Sequence, residues 1–161
     1  MTTPAHALIS IRPAGPEAPG LCEPILRSVP EWFGIESCTR QYIDETATLP
    51  TWIAWRGGVP VGFVSIRRHF PEAAEVSCIA AMKSAHGTGV GTALMREIER
   101  VLAAEGVRVL QVKTQGPSLP CEEYALTMRF YRSIGYAPLE ELHGVWPGVP
   151  MLIMVKQIAA S

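Results

Sequence analysis

A glycine-rich segment is the part of the sequence with the clearest chemical meaning. Residues 86–91 read His-Gly-Thr-Gly-Val-Gly and stand between a predicted strand and the most regular amphipathic helix of the chain. Gly87, Gly89 and Gly91 carry no side chain, so the backbone can come close to a bulky anion. The first amides of the following helix are unpaired and lie at the positive end of its dipole. The segment therefore predicts a phosphate or diphosphate site.

A glycine-rich turn between a strand and a helix has other interpretations. The glycines can serve a tight turn and nothing more. A nucleoside triphosphate loop needs Gly-Lys-Ser/Thr, but Gly91 is followed by Thr92 and Ala93. A Rossmann dinucleotide site needs GxGxxG and an acidic residue at the end of the next strand, whereas that strand closes on Lys113 and Thr114. Both nucleotide alternatives are disfavoured, and the purely structural one stays open.

Seven predicted strands surround this turn in the sequence. Apolar or alternating runs predict strands at 7–12, 51–56, 59–68, 74–82, 107–114, 136–143 and 150–158. Gly57 and Gly58 predict a tight primed turn between the second and third strands, because both residues tolerate a positive φ. Trp146-Pro147-Gly148 predicts the turn of the closing hairpin.

Helical periodicity is clearest directly after the glycine-rich segment. Residues 90–105 carry one apolar stripe, formed by Val90, Leu94, Ile98, Val101 and Leu102. Gly106 suits the position that follows a helix. Residues 31–49 and 122–134 predict two further helices, whereas the three prolines of residues 16–29 predict at most a short, irregular one.

This order of elements predicts an α/β fold with one mixed sheet and helices on both faces. A chain of 161 residues, 48% of them hydrophobic, suffices for one core, and no repeat or linker divides it. We therefore expect a single domain over residues 1–161. The balance of 14 Lys+Arg against 15 Asp+Glu disfavours a nucleic-acid surface, and the composition excludes intrinsic disorder. Because no apolar run reaches about 18 residues, we expect no membrane span.

The cysteines and histidines show no metal-ligand spacing. They are scattered along the chain, at Cys22, Cys38, Cys78 and Cys121 and at His6, His69, His86 and His143. Thiols without a paired pattern, in a chain of this size, are typical of a reducing compartment. Residues 1–20 lack the basic start and apolar core of a secretory signal. We therefore expect a cytoplasmic protein with reduced thiols and no metal.

Two motifs together resemble the GNAT (GCN5-related) N-acetyltransferases. Residues 86–91 are similar to the family's acetyl-CoA motif, Q/R-x-x-G-x-G/A, with His86 in place of Gln or Arg. Residues 124–136 resemble its later helix, which ends F-Y-x-x-x-G-F/Y and is represented by Phe130, Tyr131, Gly135 and Tyr136. The motifs follow in the family's order and separation, so the resemblance covers nearly the whole chain.

The resemblance implies a GNAT-like fold and acetyl-CoA as cosubstrate. The fold would be a six- to seven-stranded, mixed and mostly antiparallel sheet, splayed at its centre. Main-chain groups of Ile79, Ala80 and Ala81 would pair with the pantetheine amides as an added strand does. The phosphates would lie on the turn and helix start, formed by His86, Gly87, Thr88, Gly89, Val90, Gly91 and Thr92.

The resemblance also assigns two catalytic side chains. Tyr131 matches the tyrosine that protonates the departing sulfur, and its alternative is a core tyrosine on the inner stripe of its helix. Glu75, four residues before Ile79, matches a glutamate that acts as base directly or through water. Its alternative is an exposed carboxylate at a strand start. Cys78 is expected to be a small core residue and not a nucleophile.

Three functions stay open on the sequence. The first is an N-acetyltransferase that acts on a primary amine of a small molecule or protein. The second is a non-catalytic acyl-CoA sensor on the same fold, and the third is an interaction domain whose glycines are structural. Neither nucleic acid nor membrane is an expected partner, and the resemblance allows a homodimer formed through the closing strands.

Overall fold

The computed structural model describes residues 8–159 and contains a seven-stranded sheet with four α-helices. The strands are β1 (Ile9–Pro13), β2 (Thr51–Arg56), β3 (Val59–Phe70), β4 (Ala73–Ala81), β5 (Val109–Gln115), β6 (Ala137–Trp146) and β7 (Val149–Gln157). The helices are α1 (Ala18–Arg27), α2 (Glu36–Glu45), α3 (Val90–Ala104) and α4 (Glu122–Ser133). The strand order is β1-β2-β3-β4-β5-β7-β6. This mixed sheet confirms the predicted α/β fold class.

Most predicted elements are confirmed within a few residues, and the exceptions lie in the N-terminal helices. α1 is a ten-residue helix that continues through Pro24, although the prolines predicted an irregular segment. The residues that α1 buries, at Ala18, Cys22, Ile25 and Leu26, recur at helical spacing, so packing outweighs the hydrogen bond that proline cannot donate. α2 begins only at Glu36, later than the sequence predicted. His6 lies outside the described residues.

The described residues form two compact units. Residues 8–66 and 78–98 make up the first unit, and residues 67–77 and 99–159 make up the second. β3, β4 and α3 each contribute residues to both units. The expectation of a single domain stays a prediction.

In the first unit, α1 and α2 pack against β2, β3 and the end of β4, and β1 pairs with β2. The β2–β3 hairpin turns at Gly57 and Gly58, whose φ angles of 57° and 76° confirm the predicted primed turn. The core cluster of the first unit consists of Cys22, Ile25, Leu26, Ile43, Ile53, Phe63, Cys78 and Ala80. Of the predicted α3 stripe, Val101 is only half-buried, whereas Val90, Leu94, Ile98 and Leu102 are buried.

In the second unit β4 pairs with β5 in parallel, and β7 joins β5 on its other side. The parallel ladder joins Ala73–Val76 to Val109–Val112, although β4 continues to Ala81 and β5 to Gln115. β5–β7 and β6–β7 are antiparallel. None of the helices in residues 8–159 is long and apolar enough to cross a membrane.

Gly62 sets how closely the start of α3 packs on β3. A Cβ added there would lie 2.6 Å from Val90 Cγ1 and 3.1 Å from the Ala80 carbonyl oxygen. We expect Gly62→Ala to lower the free energy of unfolding by about 1–3 kcal/mol, because a short branched side chain and a backbone atom must both move. Urea unfolding measures this loss.

A glycine in open space provides the control for Gly62→Ala. Gly20 lies in α1, and a Cβ added there meets no atom within 4 Å. Gly20→Ala should raise the free energy of unfolding by up to about 1 kcal/mol, since alanine favours the helix. Equal effects of the two substitutions would contradict the close packing at Gly62.

Candidate functional site

The glycine-rich turn is an exposed strand-to-helix connection. β4 ends at Ala81, a short 3-10 helix spans Lys83–Ala85, and α3 begins at Val90. Gly87 and Gly89 have φ angles of 73° and 89°, in the left-handed region that side chains rarely adopt. A Cβ at either glycine would meet open space, and residues 86–89 are exposed. The main chain at this turn is therefore accessible, as an anion site requires.

His86 ties the turn to the end of β4. Its Nε2 atom lies 3.0 Å from the carbonyl oxygen of Ala81. A carbonyl only accepts hydrogen bonds, so Nε2 carries the proton and donates it. Trp32 packs edge-on against the imidazole, with 5.6 Å between ring centroids. The two segments predicted to contact the coenzyme, Ile79–Ala81 and residues 86–92, are thus joined directly.

Thr88 anchors the middle of the turn from two sides. Its hydroxyl donates to the Ala85 carbonyl at 2.6 Å and accepts from Arg56 Nη1 at 2.9 Å. Arg56 Nη2 also lies 3.3 Å from the Thr88 carbonyl oxygen. The end of β2 therefore places a guanidinium on the glycine-rich turn.

Glu75 belongs to a charged cluster on the second unit. Its side chain is 11% exposed, and its Oε2 atom lies 2.5 Å from Nε2 of His69. Lys113 Nζ lies 3.3 Å from the same carboxylate. This burial contradicts the alternative of an exposed carboxylate at a strand start. The cluster offers a carboxylate that is largely withdrawn from water and that contacts a half-exposed imidazole, which is an arrangement suited to moving a proton.

Tyr131 lies on the buried face of α4 and is 5% exposed. Its ring centroid lies 5.3 Å from that of Phe130 and 5.7 Å from that of Tyr136. The Tyr136 hydroxyl donates to Glu99 at 2.9 Å, and burial together with the Glu99 charge raises the pKa of Tyr136. The position of Tyr131 is compatible with both of its predicted roles, acid or core residue.

The family assignment rests on a match that spans both motifs. A family model for GNAT acetyltransferases matches residues 22–136, which include the glycine-rich turn and α4. The chain belongs to the GNAT acetyltransferase family. It is accordingly an acetyltransferase, and GNAT enzymes use acetyl-CoA.

Solved GNAT structures share the fold at low sequence identity. Ribosomal-protein-S18-alanine N-acetyltransferase from Escherichia coli is 14% identical, with 96% of each chain covered and a TM-score of 0.78. A protein from Desulfovibrio desulfuricans assigned to the GNAT family is 19% identical, with 94% of this chain and all of that chain covered and a TM-score of 0.80. An aminoglycoside 6′-N-acetyltransferase complexed with coenzyme A is 16% identical, with 94% and 98% covered and a TM-score of 0.74. Comparison with curated proteins gave no significant match.

The predicted GNAT residues divide between the two units. Ile79–Ala81 and residues 86–92 lie in the first unit, whereas Glu75 and Tyr131 lie in the second. Cys78 is buried, as expected of a core residue, and burial raises the pKa of its thiol. Among residues 8–159, no three His, Cys, Asp or Glu side chains are grouped in a way that could hold a metal ion.

Sequence reasoning missed three side chains that contact the predicted GNAT residues. His69 and Lys113 contact Glu75, and Arg56 contacts Thr88. None of the three lies in a motif. His69 and Lys113 come from β3 and β5, the strands on either side of β4, and Arg56 comes from the end of β2. Only the order of the strands in the sheet brings them to these positions.

Proposed function

We propose that this GNAT enzyme transfers an acetyl group from acetyl-CoA to a primary amine by direct attack in a ternary complex. The observation that carries the proposal is the exposed turn at the start of α3, where Gly87 and Gly89 adopt left-handed φ angles. Such a turn presents amides at the positive end of a helix, where a diphosphate is stabilised.

The coenzyme would be held largely by main-chain groups. Ile79, Ala80 and Ala81 would pair with the pantetheine amides, and the small side chains of Ala80 and Ala81 would leave room for them. The diphosphate would lie on the amides of residues 86–92. The hydrogen bond from His86 to Ala81 fixes these two segments relative to each other.

The chemical step needs a base, because an ammonium group has no lone pair. An unperturbed alkylamine has a pKa of about 10.4, so little free amine exists at neutral pH. Glu75 would accept the amine proton, directly or through water, while the nitrogen bonds to the thioester carbonyl carbon. A main-chain N–H of Ile79 or Ala80 would stabilise the developing oxyanion.

Collapse of the tetrahedral intermediate breaks the carbon–sulfur bond. Tyr131 would donate its phenolic proton to the departing sulfur, which leaves as the coenzyme A thiol. The other product is the N-acetyl amide. A thiol with a pKa of about 8.5 is a tolerable leaving group without help, so the acid accelerates this step but is not essential.

The acceptor class is a primary amine of a small molecule or of a protein. A thiol-release assay over a panel of amines, together with titration of acetyl-CoA by calorimetry, tests the function. Binding with thiol release supports the transferase. Binding without release on any amine would favour an acyl-CoA sensor, and absence of binding would leave the glycines with a structural role only.

Tyr131→Phe distinguishes the two predicted roles of Tyr131, general acid and core residue. We expect turnover to fall about tenfold with little change in acetyl-CoA affinity, because the ring still packs but no proton is donated. Steady-state thiol release with the best amine of the panel measures turnover, and calorimetry measures affinity.

Tyr136→Phe is the matched control for this substitution. It removes the hydroxyl bonded to Glu99, so it should lower stability while turnover stays near the wild-type value. Unchanged turnover in Tyr131→Phe at every pH would remove Tyr131 from the mechanism.

A further inference from the structure

Arg56 is a basic side chain that contacts the glycine-rich turn, and neither motif includes it. Its guanidinium lies on Thr88, between the two left-handed glycines, and its hydrogen bond with the Thr88 hydroxyl is exposed to solvent. The contact joins residues 32 positions apart in sequence. A positively charged side chain therefore lies at the turn where the sequence predicts a bound phosphate or diphosphate.

In the part of the chain that the structure describes, no carboxylate pairs with the Arg56 guanidinium. By contrast, Arg27 contacts Glu23 and Glu36, and Lys83 contacts Glu31. Over residues 8–159, the hydrogen-bond partners of Arg56 are the two neutral oxygens of Thr88. The turn therefore carries a positive charge beyond that of the helix dipole.

The Nε atom of Arg56 is buried and, across the described part of the chain, has no hydrogen-bond partner. A buried unpaired N–H of a cation costs free energy, and such groups in a native structure call for an explanation. Structural anchoring of the turn explains the Thr88 bonds, but a neutral donor would anchor the turn without this cost. An anionic ligand explains why a cation is placed here, because its attraction to the guanidinium offsets this cost.

We propose that Arg56 binds a phosphate group of the coenzyme A nucleotide at the glycine-rich turn. This proposal rests on the proposed function, because it names a further contact of the same coenzyme. The Thr88 bonds use one N–H of each terminal nitrogen. A guanidinium has five N–H donors, so one N–H remains on each terminal nitrogen for phosphate oxygens.

Coenzyme A offers two phosphate sources, the diphosphate and the 3′-phosphate. Calorimetric titration of the full chain with coenzyme A and with 3′-dephospho-coenzyme A distinguishes them. We expect Arg56→Gln to bind coenzyme A about tenfold more weakly, as for a lost charge-assisted hydrogen bond. If Arg56→Gln no longer binds coenzyme A more tightly than the dephospho form, the group that Arg56 contacts is the 3′-phosphate. If the substitution weakens the binding of both ligands by the same factor, the group that Arg56 contacts is the diphosphate.

The salt dependence of binding separates a phosphate contact from structural anchoring. Salt screens charge–charge attraction, so the wild-type affinity should fall more steeply with NaCl than that of Arg56→Gln. Arg56→Lys keeps the charge and should keep the steep salt dependence even if its affinity is lower. It also preserves the test if Arg56→Gln folds poorly.

Arg12→Gln is the matched control, since it removes one positive charge from the neighbouring strand β1. Arg12 lies over the Trp55 ring, 4.9 Å from its centroid, and not on the turn. It should change neither the affinity nor the salt dependence. Wild-type affinity in Arg56→Gln, or weaker binding with an unchanged salt dependence, would overturn the Arg56 proposal alone. Failure of the wild-type chain to bind coenzyme A would overturn the proposed function itself.

Discussion

Gly89→Val is expected to weaken acetyl-CoA binding by about 100-fold or more. Gly89 has a φ of 89°, which a β-branched residue adopts only with strain. The turn must therefore change its path, and at least two amides should lose their hydrogen bonds to phosphate. At about 1.5 kcal/mol for each bond to a charged group, the loss exceeds two orders of magnitude in affinity. Calorimetry with acetyl-CoA measures it.

Gly106→Val is the matched control at the opposite end of α3. Gly106 has a φ of 93°, and a Cβ added there also meets no atom within 4 Å. The backbone strain is thus similar, and both variants should lose stability in thermal unfolding. Only Gly89→Val should lose affinity for acetyl-CoA. Equal affinities of the two variants would show that the turn does not hold the diphosphate.

Local signals in the sequence are sufficient to predict the turns. Gly57 and Gly58 were predicted to turn a hairpin, and the φ angles of both are positive. The conformation of such a turn depends on residues adjacent in the chain, so a short sequence window contains the information. The same reasoning applies to Gly87 and Gly89 before α3.

Pro24 shows where local rules fail. The prolines of residues 16–29 predicted at most a short, irregular helix, yet α1 is a regular ten-residue helix. The stabilisation comes from burial of Cys22, Ile25 and Leu26 against distant residues such as Ile53 and Phe63. A local pattern contains no information on that packing, which outweighs the lost hydrogen bond.

The environment of Glu75 could not be predicted for a related reason. A glutamate at a strand start is usually exposed, since burial of an unpaired carboxylate is costly. Here His69 comes from β3 and Lys113 from β5, 6 and 38 residues away in sequence. Periodicity indicates which residues share a face of a strand, but not which side chains of neighbouring strands are placed against them.

Glu75→Gln is expected to lower turnover about 100-fold at pH 7, with acetyl-CoA affinity nearly unchanged. Glutamine keeps the shape of the side chain and one oxygen for His69 and Lys113, but it cannot take up the amine proton. The variant then depends on the fraction of acceptor that is already free amine, which rises with pH up to about 10.4 for an unperturbed alkylamine. The deficit relative to wild type should therefore shrink as pH rises. Thiol release over pH 7–9.5 measures it.

Glu99→Gln separates base catalysis from the loss of a buried carboxylate. The Glu99 side chain is 14% exposed and accepts from Lys156 at 2.8 Å and from Tyr136 at 2.9 Å, so it resembles Glu75 in burial and in having two partners. Both variants should unfold at lower temperature, because each leaves a lysine without its full counter-charge. Only Glu75→Gln should show a turnover deficit that narrows with pH. A deficit of constant size across that pH range would assign Glu75 a structural role, with the amine losing its proton elsewhere.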